Sequence, residues 1–371
     1  MSGGALAGQR VVDISRVLAG PYCAQMLGDH GADVVKIEPP GGDGTRQWGP
    51  TRADGVSAYY AGLNRNKEHL VADLTSPRGR GLLLDQLESA DVLVENFKPG
   101  TMAAWDLDVD YLLDRFPRLV YCQISAFGQG PMAGLPGYDA VVQAYSGLMY
   151  LNGEPDRGPL RLPMPITDLT TGLQAFAGVL LALQERERSG RGQLVSVSLY
   201  DAALSLLHPA AATYFMTGVE PRRLGSAHPS IAPCEIFDTA DGQIYLAAGN
   251  DQQFATLVEF LNAPEMAADP RFRTNADRLQ HRHELNARLA ELVAHCEASA
   301  GLARIMIERG VPASPVRPVA EVLDDPDLVD RGMGVDIGGL RVLGIPVHLG
   351  RTPGSIRTAP RPLGADRSAH V

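Results

Sequence analysis

Short apolar runs alternate with helical patterns along the first half of the chain, and this alternation constrains the fold more than any other feature. The sequence predicts strands at residues 10–14 and 33–37 with a helix at 20–31 between them, which is a β-α-β unit. Further strands are predicted at 70–74, 91–95, 119–124 and 194–197, with helices between them. Short apolar strands that alternate with helices are typical of α/β proteins with a parallel, doubly wound sheet.

The clearest single element is a helix predicted over residues 169–188, which ends at Ser189-Gly190. Asp168 immediately precedes it. The simplest role for an aspartate there is an N-cap that accepts N–H bonds from the first helical turn. The same place suits a carboxylate nucleophile, because the helix dipole would keep it ionised and nearby amides could stabilise an oxyanion. Both roles remain open on pattern alone.

A change of pattern near residue 218 indicates a second domain. Residues 218–225 are predicted to be a linker, and 226–310 a small α+β domain with strands at 235–238 and 243–248. Residues 311–371 return to short strands and prolines without enough length for a core of their own. We therefore predict a discontinuous large domain that comprises residues 1–217 and 311–371.

Composition excludes several classes of protein. Acidic residues number 43 and basic residues 33, so the formal net charge of −10 argues against a nucleic-acid or anionic-membrane partner. The four cysteines lie far apart without a C-x-x-C, which argues against a disulfide framework or a zinc site and fits a reducing cytoplasm. The start of the chain lacks the pattern of a signal peptide. The most apolar stretch, 173–183, is interrupted by Gln174 and Gly178 and is predicted to be too short to span a membrane.

Common catalytic and nucleotide-binding motifs do not occur. Glu38 ends the second strand as in dinucleotide-binding units, but the G-x-G-x-x-G run is missing and Pro21 removes an N–H. Neither a Walker A motif nor a G-x-S-x-G occurs. His281 and His283 fall on different faces of a predicted helix, and no metal site is predicted. A nucleotide near these strand ends remains reasonable, because open parallel sheets bind ligands there.

Lysine is rare in this chain. Only Lys36, Lys67 and Lys98 occur among the 33 basic residues. A GC-rich genome would explain this by a drift from lysine to arginine codons. A lysine can also be retained for a role that arginine performs less well, because the lysine ammonium is a compact point charge.

Six segments carry a resemblance to a known family, and the match is in order along the chain from residue 8 to about 365. They read RVVDISRVLAGPYCAQMLGDHGADVVKIEPPGGD, LNRNKEHLVADL, DVLVENFKPG, AFGQGP…GYD, ITDLTTGLQAFAGVLLALQERERSGRGQ and GVPASPV. Together they resemble the family III CoA-transferases of the CaiB/BaiF type. That group includes formyl-CoA transferases, carnitine CoA-transferases and α-methylacyl-CoA racemases.

The resemblance implies a fold, an assembly and a reaction. The large domain would be Rossmann-like, and two open-ring chains would form an interlocked homodimer. The activity would be an acyl-CoA:carboxylate CoA-transferase, with acyl-CoA and a carboxylic acid as substrates and no permanently bound cofactor. Asp168 would form an aspartyl–acyl anhydride and then an aspartyl-CoA thioester. Water must be excluded, since both intermediates hydrolyse.

The resemblance also implies a set of CoA contacts. The family's contacts correspond to Val17, Leu18, Leu63, Lys67, Asn96, Phe97 and Tyr138, and Arg46 in the G-D-x-T-R run is an expected phosphate partner. Lys67 is expected to meet phosphate, and Phe97 to stack on adenine. For Lys36 and Lys98 the codon effect is a sufficient explanation.

Three departures from the family pattern bear on the activity. Pro39 stands where some transferases carry an arginine for the nucleotide. Residues 247–250 (AAGN) are all that corresponds to the long glycine-rich loop of formyl-CoA enzymes, so formyl-CoA/oxalate exchange is not expected and the lid is unidentified. Racemases carry a histidine where this chain has Tyr138, and a phenol of pKa about 10 is a poor base near neutral pH. A transferase is therefore favoured over a racemase. A non-catalytic acyl-CoA-binding protein is a third alternative, and the presence of Asp168 argues against it.

Overall fold

The computed structural model describes residues 3–296 and 299–366, and the chain divides into two compact units. The large unit comprises Met1–Met149, Arg161–Gly218 and Asp325–Val371, and the small unit comprises Tyr150–Leu160 and Val219–Asp324. The C-terminal return to the large unit therefore begins at residue 325 and not at 311 as predicted. The reason is that Ala313–Pro315 is a strand that pairs with Gln243–Ala247 in the small unit.

A six-stranded parallel sheet forms the centre of the large unit, which confirms the predicted fold class. Its strands are β1 (Arg10–Asp13), β2 (Asp33–Glu38), β3 (Lys67–Val71), β4 (Val92–Glu95), β5 (Val120–Ser125) and β6 (Leu194–Ser198). Their order is β3-β2-β1-β4-β5-β6, and every pairing is parallel. The order reverses between β1 and β4, and ligands of open α/β sheets bind at the carboxyl ends of strands at such a point.

Helices connect these strands and lead to the small unit. They are α1 (Ala19–Asp29), α2 (Ala58–Ala61), α3 (Pro77–Leu87), α4 (Thr101–Ala104), α5 (Val109–Arg115), α6 (Asp139–Tyr145), α7 (Leu148–Leu151), α8 (Ile166–Ser189), α9 (Leu199–Ser205) and α10 (Ala210–Thr217). Two pairs of these helices are separated by a residue that cannot continue a helix. Gly147, with a φ of 91°, lies between α6 and α7. Pro209, which has no N–H to donate, lies between α9 and α10.

Helix α8 packs against α1 and against the β5–β6 side of the sheet, where apolar side chains form one continuous core. The approach to α1 is close at Gly172: a Cβ there would lie 2.8 Å from the Ala19 carbonyl oxygen. At 24 residues, α8 is longer than the apolar stretch 173–183, and its length and composition alone would be sufficient to cross a membrane. Core helices of water-soluble proteins pass the same test, and α8 is the one candidate in the described ranges.

The small unit is an α+β structure with an antiparallel sheet and its own core. Its strands are β7 (Cys234–Asp238), β8 (Gln243–Ala247) and β9 (Ala313–Pro315), and its helices are α11 (Asp251–Phe260), α12 (Glu265–Ala268), α13 (Asn275–Gln280), α14 (Arg282–Val293), α15 (Ser299–Glu308) and α16 (Val319–Leu323). The return to the large unit contains α17 (Pro326–Asp330) and the hairpin of β10 (Gly334–Ile337) and β11 (Leu340–Leu343). The residues after this hairpin reach edge strand β3, where Asn66 N–H donates to the Thr358 carbonyl at 3.1 Å.

Candidate active site

A cleft of about 480 Å³ lies in the large unit at the carboxyl ends of β1, β4 and β5. Because the strand order reverses there, this is the expected ligand site of an open sheet. The cleft brings together five of the predicted site residues: Val17, Asn96, Phe97, Tyr138 and Asp168. The other four predicted residues do not line it.

Asp168 is the third residue of α8 and not its N-cap. The helix begins at Ile166, three residues earlier than predicted, and Pro165 is at the N-cap position. The capping role belongs to Asp139, whose Oδ1 accepts from the Thr167 backbone N–H at 2.8 Å and from the Thr167 hydroxyl at 2.7 Å. The Asp168 carboxylate is therefore not committed to capping and lies on the cleft.

Burial raises the pKa of Asp168 from 3.8 to about 7, and the negative charge of Asp139 adds to the shift. The expectation that the helix dipole would keep Asp168 ionised is thus reversed, because burial of the charge outweighs a terminal dipole effect. A carboxyl group with a pKa near 7 is half ionised at neutral pH. When ionised it is poorly solvated, as is suitable for a nucleophile.

The Phe97 ring is held between two neighbours at the edge of the cleft. The Arg16 guanidinium lies 5.1 Å from its centroid, and Trp105 contacts it edge-to-face at 5.1 Å. Arg16 therefore already covers one face of the ring that was predicted to stack on adenine. Tyr138 is two-thirds exposed, at 66%.

The structure contradicts the phosphate role predicted for Lys67. Its side chain is fully buried, and its ammonium donates to Asp13 Oδ2 at 2.9 Å, the Pro21 carbonyl at 2.8 Å and Asn64 Oδ1 at 2.9 Å. An ammonium has three N–H donors, so none remains for a ligand. Burial lowers the pKa of Lys67 to about 8, against the attraction of Asp13.

Arg46 is also committed to the protein interior. It forms a bidentate pair with Glu38 at 2.6 and 2.8 Å, donates to the Arg361 carbonyl at 3.1 Å, and lies 3.8 Å from the Tyr60 ring centroid. It is only 8% exposed, so the predicted phosphate contact is not available. Leu18 and Leu63 are buried as well, at 3% and 7% exposure.

Two cations that were not predicted as site residues line the cleft instead. Arg16 and Lys98 are both exposed lining residues. Lys98 lies in the segment VENFKPG, directly after Asn96 and Phe97, two predicted CoA contacts that line the cleft. This adjacency in the sequence could have pointed to Lys98. The cleft thus has two cations able to pair with phosphate.

Tyr59 does not line the cleft, but it lies close enough to Asp168 for the two groups to interact electrostatically. Burial raises its pKa to about 12, and the charges of Asp168 and Asp139 add to the shift. Its phenol is therefore neutral and able to donate a hydrogen bond at any pH at which Asp168 titrates. The Tyr59 ring contacts Trp48 edge-to-face at 5.2 Å.

The described ranges contain no group of three or more His, Cys, Asp or Glu side chains that could hold a metal ion. Residues 247–250 correspond in sequence to the glycine-rich loop of formyl-CoA enzymes. In this structure they end β8 and lead into α11 in the small unit. There Asn250 caps α11 by accepting from the Gln253 N–H at 2.9 Å.

Comparisons with known proteins agree along nearly the full chain. The family model for CoA-transferase family III matches residues 6–367. A succinate–glutarate CoA-transferase of Agrobacterium fabrum is 40% identical over 370 residues, which covers 94% of this chain and 90% of that protein. An acetyl-CoA:oxalate CoA-transferase of Acetobacter aceti is 39% identical over 349 residues, which covers 93% and 89% respectively. The crystal structure of a CaiB/BaiF family protein from Brucella suis has a TM-score of 0.89 and 38% identity, and covers 98% of this chain and 97% of that one.

Proposed function

The chain belongs to family III of the CoA-transferases, and on that premise we propose that it exchanges CoA between an acyl-CoA and a free carboxylate through Asp168. The observation that carries this proposal is the position of Asp168: it lines one cleft with four of the residues expected to contact CoA. Its carboxyl group takes no part in the capping of α8 by Asp139 and has a pKa of about 7.

The proposed reaction proceeds by covalent catalysis in two symmetrical halves. An Asp168 carboxylate oxygen attacks the thioester carbonyl, the C–S bond breaks, and CoA leaves as a thiolate. The thiolate attacks the aspartyl carbonyl of the resulting anhydride, which releases the first carboxylate and leaves an Asp168-CoA thioester. The acceptor carboxylate then attacks the carbonyl of that thioester, its C–S bond breaks, and CoA leaves again as a thiolate from a new aspartyl–acceptor anhydride. The thiolate attacks the acceptor's acyl carbon, and the bond from that carbon to the Asp168 oxygen breaks. Asp168 is regenerated as a carboxylate.

We propose that the charged part of CoA is bound by the cations of the cleft. Arg16 and Lys98 replace Arg46 and Lys67 as the expected phosphate partners, because only the former pair is exposed on the cleft. Val17, Phe97 and Tyr138 remain proposed CoA contacts, and Asn96 lines the same cleft beside them. Leu18 and Leu63 are buried and do not line the cleft, so direct contact of either residue with CoA is no longer proposed.

We further propose that short dicarboxylic acids are among the acceptors. The two transferases compared above are named for succinate and glutarate, and for acetyl-CoA and oxalate. A carboxylate at one end of such an acid can react while the other end pairs with a cation. The expectation against formyl-CoA/oxalate exchange rests on the missing glycine-rich loop and stays a prediction.

An interlocked homodimer in the cytoplasm is proposed on the same family premise. Exposed apolar side chains on the large unit support an assembly: Leu181 is 72%, Phe215 83% and Met216 86% exposed. All four cysteines are free thiols, which supports a reducing compartment. Interlocked chains separate only by unfolding, so mixed tagged and untagged dimers should not exchange subunits under native conditions.

A crossed screen of acyl-CoA donors against carboxylate acceptors, detected by mass spectrometry, tests the proposed activity. New acyl-CoA species should form with the native protein and not with the Asp168→Asn variant, which should still bind CoA. Exchange at the native rate in that variant would refute the mechanism. Rapid exchange of the α-proton of a 2-methylacyl-CoA into D₂O, without CoA transfer, would indicate racemase chemistry instead.

A further inference from the structure

The turn that follows β1 adopts a conformation that its sequence does not favour. Val17 has a φ of 69°, in the left-handed region where a β-branched residue is a rare outlier. The turn lines the cleft through Arg16 and Val17, as Asp168 does. Such a backbone persists only where the surrounding structure holds it, and outliers of this kind cluster at functional sites.

Asn96 and Asp43 hold the strained part of the turn. Asn96 bonds both backbone groups of Arg16: its Oδ1 accepts from the amide at 2.7 Å, and its Nδ2 donates to the carbonyl at 2.7 Å. The next amide, that of Val17, donates to Asp43 Oδ2 at 3.1 Å. Three consecutive backbone groups at the bend are thus bonded to side chains from other parts of the chain.

The preceding residue, Ser15, is held in the same way. Its N–H donates to the Asp13 carboxylate at 3.0 Å, and its carbonyl accepts from the Lys36 ammonium at 2.8 Å. Asp13 is in turn 2.9 Å from the Lys67 ammonium. All three charged side chains are fully buried, so the turn is anchored to a rigid ionic cluster under the sheet ends.

Asp43 can act on the cleft only through the turn. It is 1% exposed and does not line the cleft. Its Oδ1 accepts from the Thr45 N–H at 2.9 Å and from the Thr45 hydroxyl at 2.8 Å. Its Oδ2 accepts from Val17 and also lies 3.8 Å from the buried Lys36 ammonium, which ties it to the same ionic cluster. An asparagine at this place has one acceptor oxygen and cannot serve both partners.

We propose that Asp43 and Asn96 are positioning residues that hold the Arg16–Val17 turn in its left-handed bend and so shape the CoA-binding side of the cleft. The inference rests on the proposed function only in taking CoA as the ligand. In this proposal the Asn96 amide acts on CoA binding by holding the Arg16 backbone, and not by direct contact with CoA.

A double-mutant cycle between Asp43→Asn and Val17→Gly tests the proposal, with the dissociation constant for CoA measured by calorimetry. Loss of a buried hydrogen bond should raise that constant about tenfold in the native background. In the Val17→Gly background the same substitution should raise it less than about threefold, because glycine adopts a positive φ without cost. An equal factor in both backgrounds would overturn the proposal.

Asp73→Asn is a matched control. Asp73 Oδ1 accepts from the Thr75 N–H at 3.0 Å and from its hydroxyl at 2.7 Å, which is the local motif of Asp43 and Thr45. Asp73 is exposed and lies outside the cleft, so the CoA dissociation constant should not change. A change as large as that of Asp43→Asn would show a general effect of such substitutions and contradict the positioning role.

Asn96→Ala provides a second cycle should Asp43→Asn fail to fold. Val17→Gly should rescue CoA binding if Asn96 is a positioning residue. It should not rescue binding if the Asn96 amide itself bonds CoA, and that result would overturn the proposal. Calorimetry needs neither an acceptor nor turnover, so the two proposals fail separately. If the two substitutions are coupled in CoA binding but the protein transfers no CoA, only the proposed transferase activity is refuted. If the protein transfers CoA but the substitutions are not coupled, only the positioning role is refuted.

Discussion

Replacing Asp168 by asparagine should make the protein more stable at high pH while it removes the proposed nucleophile. The folded state raises the pKa of this carboxyl group from 3.8 to about 7, mainly by burial and then by the charge of Asp139. Between these values the unfolded chain has released a proton that the folded chain retains. Folding therefore takes up a proton in this range, and the free energy of unfolding falls as the pH rises from about 4 to about 7.

The magnitude follows from the size of the shift. About three pKa units at about 1.4 kcal/mol each give an upper limit of about 4 kcal/mol above pH 7. Asp168 keeps some contact with water, and an asparagine there must satisfy its own polar groups at a cost of about 1 kcal/mol. We expect a net gain of about 1–3 kcal/mol for Asp168→Asn at pH 8, and little difference from the native protein at pH 4.5.

Thermal unfolding of both proteins across this pH range is the assay. The difference in Tm should grow from near zero at low pH to several degrees at pH 8. Asp110→Asn is the control, because Asp110 also lies in the first turn of a helix but is exposed. It should give no gain at any pH. A difference for Asp168→Asn that is constant with pH, or that favours the native protein at pH 8, would refute the reasoning.

Three further predictions concern the site and its support. The rate of Asp168 acylation by acyl-CoA should rise with pH through a single ionisation at about 7, since the carboxylate is the nucleophile; a profile flat between about pH 5 and 9 would contradict this. Lys67→Met should lower the free energy of unfolding by about 3–5 kcal/mol, because it removes one of the two ammonium groups paired with the buried Asp13 and leaves the Pro21 and Asn64 oxygens without their donor. Lys98→Ala should leave Tm unchanged and weaken CoA binding in a salt-dependent way, and the reverse pattern would restore the phosphate role of Lys67. Gly172→Ala should destabilise the protein by about 1–3 kcal/mol, because the added methyl group would meet α1. Gly81→Ala should instead stabilise helix α3 by up to about 1 kcal/mol, because the added methyl group has open space around it. Equal changes in the free energy of unfolding of the two variants, measured by chemical denaturation, would contradict the close approach of α8 to α1.

The parallel sheet could be predicted because its strands are apolar runs with regular spacing. Strand β3 was predicted to begin at Leu70 and begins at Lys67. Its first residues include Lys67 and His69, whose buried side chains have the polar partners Asp13 and Tyr60 outside the strand. Hydrophobic periodicity cannot detect a buried residue that is polar, so the start of this strand was missed.

Buried ion pairs explain why both predicted phosphate partners lie outside the cleft. Lys67 and Arg46 looked like phosphate partners because a motif names residue types but not the direction in which their side chains point. One signal was present in the sequence: Asp13 and Lys36 carry opposite charges near the ends of adjacent apolar strands, and the two residues are register partners in the sheet. Buried opposite charges are expected to pair, so this match was a cue to an internal cluster.

The position of Asp168 shows a different limit. Helix α8 begins three residues before the start of its apolar pattern, because Asp139 supplies the cap from another part of the chain. An aspartate in the first turn of a helix is expected to have a low pKa when it is exposed. Its actual pKa depends on burial and on Asp139, and both follow from tertiary structure alone.

Chemical trapping of the covalent intermediate tests the central claim most directly. The protein is incubated with an acyl-CoA and then treated with borohydride, which reduces an aspartyl-CoA thioester to homoserine, and the product is mapped by mass spectrometry. We predict homoserine at residue 168, dependent on acyl-CoA and abolished when an acceptor carboxylate discharges the thioester before reduction. Turnover with an unmodified Asp168, or trapping at another carboxylate, would contradict the account.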